Sequence, residues 1–168
     1  MIILLMGVSG SGKTTTGHAL ADALHWPFFD ADDFHPEANV AKMAAGTPLT
    51  DEDRWPWLDR IALEMRAILA CGKDAVFACS ALKVVYRSRL MDAGDVRLVH
   101  LKGDMDTIGA RLSQRAHRYM PASLLPSQFA ALEEPRDAVV VDIREPVTTQ
   151  IEHIRNALVE ARAIPEQR

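Results

Sequence analysis

The chain has 168 residues, which is the length of one domain and enough to bury a core without disulfide bonds or a structural metal. Hydrophobic residues make up 48% and charged residues 25%, and the formal net charge of -4 argues against nucleic acid or an anionic membrane as the main partner. The two cysteines, Cys71 and Cys79, form neither a metal-binding spacing nor a disulfide framework. They favour a reducing, cytoplasmic compartment, and we expect both in the core.

The first predicted element is a buried strand over residues 2–6. The opening apolar run is too short for a secretion signal or a membrane span, and a glycine closes it, as at the end of a central parallel strand. Apolar residues at helical spacing then predict a helix from Thr14 to His25, which ends before Pro27.

Strands and helices alternate along the rest of the chain. Where short apolar runs lie between turn residues, we expect further strands over 28–29, 75–79, 96–101 and 138–141. Helices are expected between Pro36 and Gly46, from Asp51 to Gly72, within 80–91, over 104–115 and from Pro146 onward. This alternation predicts one α/β domain of three layers with a parallel sheet.

A glycine-rich segment follows the first strand and matches the pattern G-x-x-x-x-G-K-[ST] of phosphate-binding loops. Its glycines let several backbone N–H groups turn toward one anion, while Lys13 would reach the β- and γ-phosphates and the Thr14 hydroxyl would ligate Mg²⁺. The flanking strand and helix argue against a surface turn that matches by chance. The segment indicates a nucleoside triphosphate but not its acceptor. The predicted nucleotide ligands are Gly7, Val8, Ser9, Gly10, Ser11, Gly12, Lys13, Thr14 and Thr15.

Acidic residues follow the second predicted strand, at the edge of a parallel α/β sheet where ligands bind. Asp30 and Asp32 are two positions apart and can point to the same side. Asp30 is suited to hold Mg²⁺ through water, and Asp32 to orient or deprotonate an acceptor hydroxyl. The alternative is that Asp32 and Asp33 only cap the next helix.

Basic residues at two places are candidates for binding an anionic acceptor. Arg54 lies in the first turn of its helix, where it opposes the helix dipole with no stability argument in its favour, so it indicates a carboxylate clamp. Ser80 and Lys83 follow the third strand, and Lys83 and Arg87 share one helical face at i, i+4 spacing. That pair forms either ligands or a solvated face, and Lys83 is the stronger candidate because it is nearer the strand end.

Three arginines before Pro121 have the spacing of a helix or a lid: Arg111, Arg115 and Arg118. They could stabilise negative charge during phosphoryl transfer, and surface solvation is the alternative for each of them. A single histidine such as His35 is more often structural than catalytic.

Together these segments resemble the gluconate kinase (gluconokinase) family, in the branch of P-loop kinases similar to shikimate kinase and nucleoside monophosphate kinases. The resemblance covers nearly the whole chain. Its most specific parts are residues 35–58 and the segment Cys79-Ser80-Ala81-Leu82-Lys83, whereas the phosphate loop is shared by many families.

The resemblance implies that ATP, with Mg²⁺, phosphorylates the terminal 6-hydroxyl of D-gluconate to give 6-phospho-D-gluconate. It also implies a homodimer, a five-stranded parallel sheet and a mobile lid over approximately residues 115–135. Carried over to this chain, the catalytic residues would be Lys13, Asp32 and Arg115, with Arg111 on the nucleotide side. The substrate ligands would come from Asp32, His35, Arg54, Ser80, Lys83 and Arg87, and the metal ligands would be Thr14 and Asp30.

Two alternatives stay open at this point. One is a kinase of the same fold that acts on another sugar acid or on shikimate, because a fold does not identify the acceptor. The other is a regulatory nucleotide switch, against which stands the lack of an Asn-Lys-x-Asp segment that would recognise guanine.

Overall fold

The computed structural model describes residues 1–113 and 125–163 of the chain. Within them, five parallel strands form one sheet in the order β2-β3-β1-β4-β5. The strands are β1 (Ile2–Met6), β2 (Phe28–Asp30), β3 (Ala75–Ala78), β4 (Val96–Lys102) and β5 (Val139–Asp142). The five-stranded parallel sheet expected from the sequence is therefore confirmed.

Helices connect the strands and cover both faces of the sheet. They are α1 (Lys13–Leu24), α2 (Glu37–Ala44), α3 (Asp51–Ala70), α4 (Val84–Met91), α5 (Met105–Ser113), α6 (Leu125–Ala131) and α7 (Val147–Ala163). A short 3₁₀ turn, Ala31–Phe34, follows β2. None of the helices in the described ranges has the length and apolar character needed to cross a membrane.

The central strand β1 is buried completely and divides the core into two clusters. Ile2, Leu4 and Met6 face a cluster that contains residues of α3 and α4. Ile3 and Leu5 face the opposite cluster, to which α1, α5 and α7 contribute. Because successive side chains of a strand point to opposite faces, one apolar run supports both helical layers.

The strand order brings the predicted site segments to one edge of the sheet. The phosphate loop leaves the carboxyl end of β1, which pairs with β3 on one side and β4 on the other. β2 ends at Asp30, which pairs with Ala78 at the end of β3. Ligands of open α/β sheets bind in the crevice between neighbouring strands whose connections run to opposite sides, and here that crevice lies between β3 and β1.

The expectation that both cysteines are core residues was half wrong. Cys79 is buried directly after β3, but Cys71 is exposed. Cys71 directly follows the last residue of α3 as its C-terminal cap. The chain turns there through Gly72 toward β3, and the Cys71 side chain is exposed to solvent.

Helix α1 approaches β2 closely because position 17 has no side chain. A Cβ atom at Gly17 would lie 2.3 Å from Cε2 of Phe28, far inside van der Waals contact. This approach places the first turn of α1, with Lys13 and Thr14, beside the end of β2 at Asp30.

We expect Gly17→Ala to destabilise the protein. Alanine favours a helix over glycine by about 1 kcal/mol, but overpacking against Phe28 costs about 1–3 kcal/mol, so a net loss of up to about 2 kcal/mol should appear in urea unfolding. Gly109→Ala in α5 is the matched control, since its Cβ would lie 3.8 Å from Leu125, an ordinary contact. Stabilisation by both substitutions would contradict this account of the α1–β2 contact.

Candidate active site

The phosphate loop has the backbone that its glycines predict. Gly10 and Gly12 adopt φ angles of 84° and 94°, in the left-handed region that favours glycine, and Gly12 precedes the first residue of α1. Lys13 Nζ donates hydrogen bonds of 3.0 Å to the carbonyls of Gly7 and Val8. Burial lowers the pKa of Lys13, while the carboxylates of Asp32 and Asp30 oppose that shift. A bound phosphate would place a counter-charge beside this buried ammonium.

Arg111 of α5 lies beside the same loop. A Cβ at Gly12 would be 3.9 Å from Arg111 Nη1, and the Nη2 group donates to the carbonyl of Ile143. This position agrees with a guanidinium on the nucleotide side, and its contact with nucleotide stays a prediction. Arg115 and Arg118 lie outside the described residues.

Thr14 and Asp30 form an oxygen pair that fits Mg²⁺. Thr14 Oγ1 donates to Asp30 Oδ2 at 2.9 Å, and Asp30 Oδ1 accepts the backbone N–H of Asp32 at 3.1 Å. No group of three or more His, Cys, Asp or Glu side chains gathers as a metal cage in the described part of the chain. A nucleotide site does not need one, because Mg²⁺ takes one or two protein oxygens together with phosphates and waters.

Asp32 lies in the 3₁₀ turn after β2 rather than on the strand itself. Its carboxylate faces the cavity that also contains Lys13 and is about half exposed to it. Partial burial raises the pKa of Asp32, the carboxylate of Asp30 adds to this rise, and Lys13 opposes it. Asp30, not Asp32, caps the turn, so the capping alternative for Asp32 loses its basis.

His35 has a structural environment. Its ring stacks on Trp57 with centroids 4.2 Å apart, and Nδ1 lies 3.4 Å from the side-chain nitrogen of Asn39. Burial, with a smaller effect from Arg54, lowers the pKa of His35 from 6.5 to about 4. The imidazole is therefore neutral at physiological pH and forms part of the cavity wall.

The pKa of His35 predicts a pH dependence of stability. As the pH falls from 6.5 toward about 4, the unfolded chain binds a proton at this histidine while the folded protein does not. The free energy of unfolding should therefore fall over this range. His35→Phe keeps the stacked ring without the proton site, so its urea unfolding should show a smaller decrease. The same pH dependence in both proteins would contradict the buried, neutral histidine.

Two basic side chains, Arg54 and Lys83, line the same cavity as the phosphate loop. Lys83 Nζ donates to both carboxylate oxygens of Asp51, at 2.8 and 2.9 Å, and the Tyr86 hydroxyl donates to the same carboxylate. The guanidinium carbon of Arg54 is 5.7 Å from the centre of the Tyr86 ring. We call the cations Arg54 and Lys83, together with the neutral Tyr86 ring that both of them contact, the cationic wall.

Arg54 has a structural contact that the sequence argument missed. Its Nη1 group donates to the carbonyls of Leu49 and Thr50, just before α3 begins. These bonds hold the guanidinium at the start of the helix despite the unfavourable dipole. The premise that no stability argument favours an arginine here was wrong, although Arg54 still lines the cavity.

Arg87 does not line the cavity and does not lie on a solvated face. It is only 5% exposed, and Nη1 donates to the carbonyls of Ala81 and Leu82 at 3.1 and 2.8 Å. Burial lowers the pKa of Arg87, partly opposed by Glu133. Lys83 precedes the first residue of α4, so the two side chains do not share a helical face. Arg87 supports the segment that carries Ser80 and Lys83, and its contact with substrate stays a prediction.

Gln128 of α6 is a site residue that spacing alone did not single out. Its side-chain oxygen accepts the backbone N–H of Ser9 in the phosphate loop at 2.6 Å. It belongs to the described part of the predicted lid, within which Leu125 is buried in the core. No local pattern could single out Gln128, because its partner Ser9 lies 119 positions away in the sequence.

Residues of the phosphate loop and of the cationic wall line one cavity of about 1040 Å³. The predicted residues that line it are Ser9, Gly10, Gly12, Lys13, Thr14, Thr15, Asp30, Asp32, His35, Arg54, Ser80 and Lys83. The remaining predicted residues with described positions do not line it: Gly7, Val8, Ser11, Arg87 and Arg111. The cavity can therefore hold a nucleotide phosphate and a small anionic acceptor together.

Comparisons with known proteins agree with this geometry. The chain matches the family model described as shikimate kinase over residues 9–160. It is 42% identical to the thermosensitive gluconokinase of Escherichia coli, over 95% of this chain and 88% of that protein. A solved sugar kinase from Janibacter sp. is 45% identical, with a TM-score of 0.87 over 94% of this chain and 93% of the other. A gluconokinase structure from Sinorhizobium meliloti is 39% identical, with a TM-score of 0.84 over 95% and 91%.

A parallel sheet with a phosphate loop after its central strand, and a kinase family match over most of the chain, define a P-loop kinase. The chain belongs to the gluconokinase family within that class. The family resemblance seen in the sequence is thereby confirmed, and a kinase is favoured over a regulatory nucleotide switch.

Proposed function

We propose that this protein transfers the γ-phosphoryl group of ATP to the 6-hydroxyl of D-gluconate, giving 6-phospho-D-gluconate and ADP. The observation that supports the proposal is that Asp32, Lys13 of the phosphate loop and the cationic wall line one cavity. Gluconate has a carboxylate at one end and a primary hydroxyl at the other, so it offers a partner both to the cations and to the Asp32 carboxylate that line this cavity.

In this proposal each end of the gluconate molecule binds a different group of residues. Arg54 and Lys83 attract the carboxylate, Asp32 accepts a hydrogen bond from the 6-hydroxyl, and its raised pKa suits it to take that proton. Thr14 and Asp30 would hold Mg²⁺, which supplies charge neutralisation at the β- and γ-phosphates.

Positive charge around the phosphoryl group accounts for the rest of the catalysis. Lys13 and Arg111, together with Arg115 as predicted, would stabilise the charge that builds on the equatorial oxygens. The predicted lid over residues 115–135 would exclude water, because an open site would hydrolyse ATP. A homodimer and a cytoplasmic location complete the proposal; the family resemblance supports the first, and the lack of a disulfide framework supports the second.

The acceptor is tested by turnover. Purified protein with ATP and Mg²⁺ should phosphorylate gluconate with a kcat/KM far above those for other aldonates and for shikimate. Shikimate is included among the acceptors because the family model that matches this chain is described as shikimate kinase. Turnover of shikimate or another sugar acid with none of gluconate would replace the proposed acceptor and leave the kinase assignment in place.

The role of Asp32 is tested by Asp32→Asn. Loss of a general base lowers rates by about 10²- to 10⁴-fold, so kcat with gluconate should fall by at least about 10²-fold. ATP affinity, measured by calorimetry, should stay within about twofold, because the phosphate loop binds the nucleotide. Asp33→Asn, one residue further along the same turn, should keep most of the activity. Equal loss of transfer and ATP binding would instead make Asp32 structural or a metal ligand.

A further inference from the structure

Asp51 places a carboxylate against the cationic wall. Both of its oxygens accept hydrogen bonds from Lys83 Nζ, and one also accepts the Tyr86 hydroxyl. These hydrogen bonds from Lys83 and Tyr86 lower the pKa of Asp51, and the partnership raises the pKa of Lys83. In the described site, Lys83 is thus already paired with a carboxylate of the protein, that of Asp51.

The carboxylate of Asp51 and the carboxylate of a sugar acid accept hydrogen bonds from the same kinds of donor. Lys83 has three N–H donors on one ammonium, and two of its contacts already go to Asp51. An acceptor carboxylate that binds Lys83 would compete with Asp51 for the same atoms. The proposed function assigns Lys83 to that carboxylate, and the inference rests on it.

We propose that Asp51 is an internal competitor of the substrate carboxylate, which occupies Lys83 and Tyr86 in the free site and is displaced when the sugar acid binds. A neutral polyol carries no anion to replace it and would leave Lys83 paired with Asp51. Asp51 therefore lowers the affinity for a sugar acid and leaves the affinity for a neutral polyol largely unchanged.

The fold allows Asp51 to leave the lysine without disturbing α3. Thr50 and Asp53 form the capping box of this helix, with hydrogen bonds of 2.9 and 3.2 Å, and Asp51 has no part in it. Lys83 and Asp51 are about one-third exposed, and exposed ion pairs are weak enough to exchange. Once displaced, the carboxylate remains at the helix N-terminus, where the helix dipole favours a negative charge.

The opposite role for Asp51 would be to hold Lys83 in position for the substrate. The two roles predict opposite signs for the same substitution. If Asp51 competes, Asp51→Asn strengthens gluconate binding; if Asp51 positions Lys83, the same substitution weakens it.

The test is gluconate binding measured by calorimetry without nucleotide. Because an exposed ion pair contributes up to about 1 kcal/mol, the dissociation constant for gluconate should fall about twofold to fivefold in Asp51→Asn. Glu52→Gln is the matched control, with the same charge change on the next, exposed residue, which does not line the cavity, and it should leave the constant unchanged. Thermal unfolding of both variants checks that the fold is kept.

A double-mutant cycle separates competition from a general field effect. In a Lys83→Met background, Asp51→Asn should bring no gain in gluconate affinity, because the contested ammonium is absent. The affinity for D-glucitol, the neutral polyol of the same length, should change no more in Asp51→Asn than in Glu52→Gln.

Weaker or unchanged gluconate binding in Asp51→Asn, or a gain that persists in the Lys83→Met background, would overturn the competitor role while the proposed function stands. A wild-type protein that neither binds nor phosphorylates gluconate would overturn the proposed function and this inference together.

Discussion

The hydrogen bond from Thr14 to Asp30 joins the two parts of the chain on which the site depends. Thr14 belongs to the first turn of α1, the helix that follows the phosphate loop. Asp30 ends β2, which is separated from β1 in the sheet by β3. Gly17 leaves room for the ring of Phe28, so the helix lies close enough for this bond. The same contact therefore positions the two proposed metal ligands, Thr14 and Asp30, and the Asp32 carboxylate that follows them.

Much of the fold follows from local patterns in the sequence. The five strands lie where short apolar runs between turn residues predict them, because a central parallel strand must be apolar on both faces. The left-handed backbone at Gly10 and Gly12 follows in the same way from the motif, since few other residues adopt it. The predictions that held are those in which residues near in sequence determine the outcome.

Contacts between distant segments account for what the sequence could not show. Helical spacing tells which side chains share a face but not where a helix begins or which face meets the core. The prediction that Lys83 and Arg87 share a face was wrong because α4 begins only after Lys83 and buries Arg87. The exposure of Cys71 depends on where α3 ends. Gln128 meets Ser9 across 119 positions of sequence, and no local pattern reports such a pair.

The buried guanidinium of Arg87 has a consequence for how acceptor preference can change in evolution. It binds the carbonyls of Ala81 and Leu82 at a point where Ala81 has a φ of 42°, a conformation that disfavours larger or β-branched residues. The backbone between Ser80 and Lys83 is thus held by a buried side chain that does not line the cavity. If Ser80 and Lys83 bind the acceptor as proposed, its preference can change by exchange of these two side chains while Arg87 keeps the backbone between them in place.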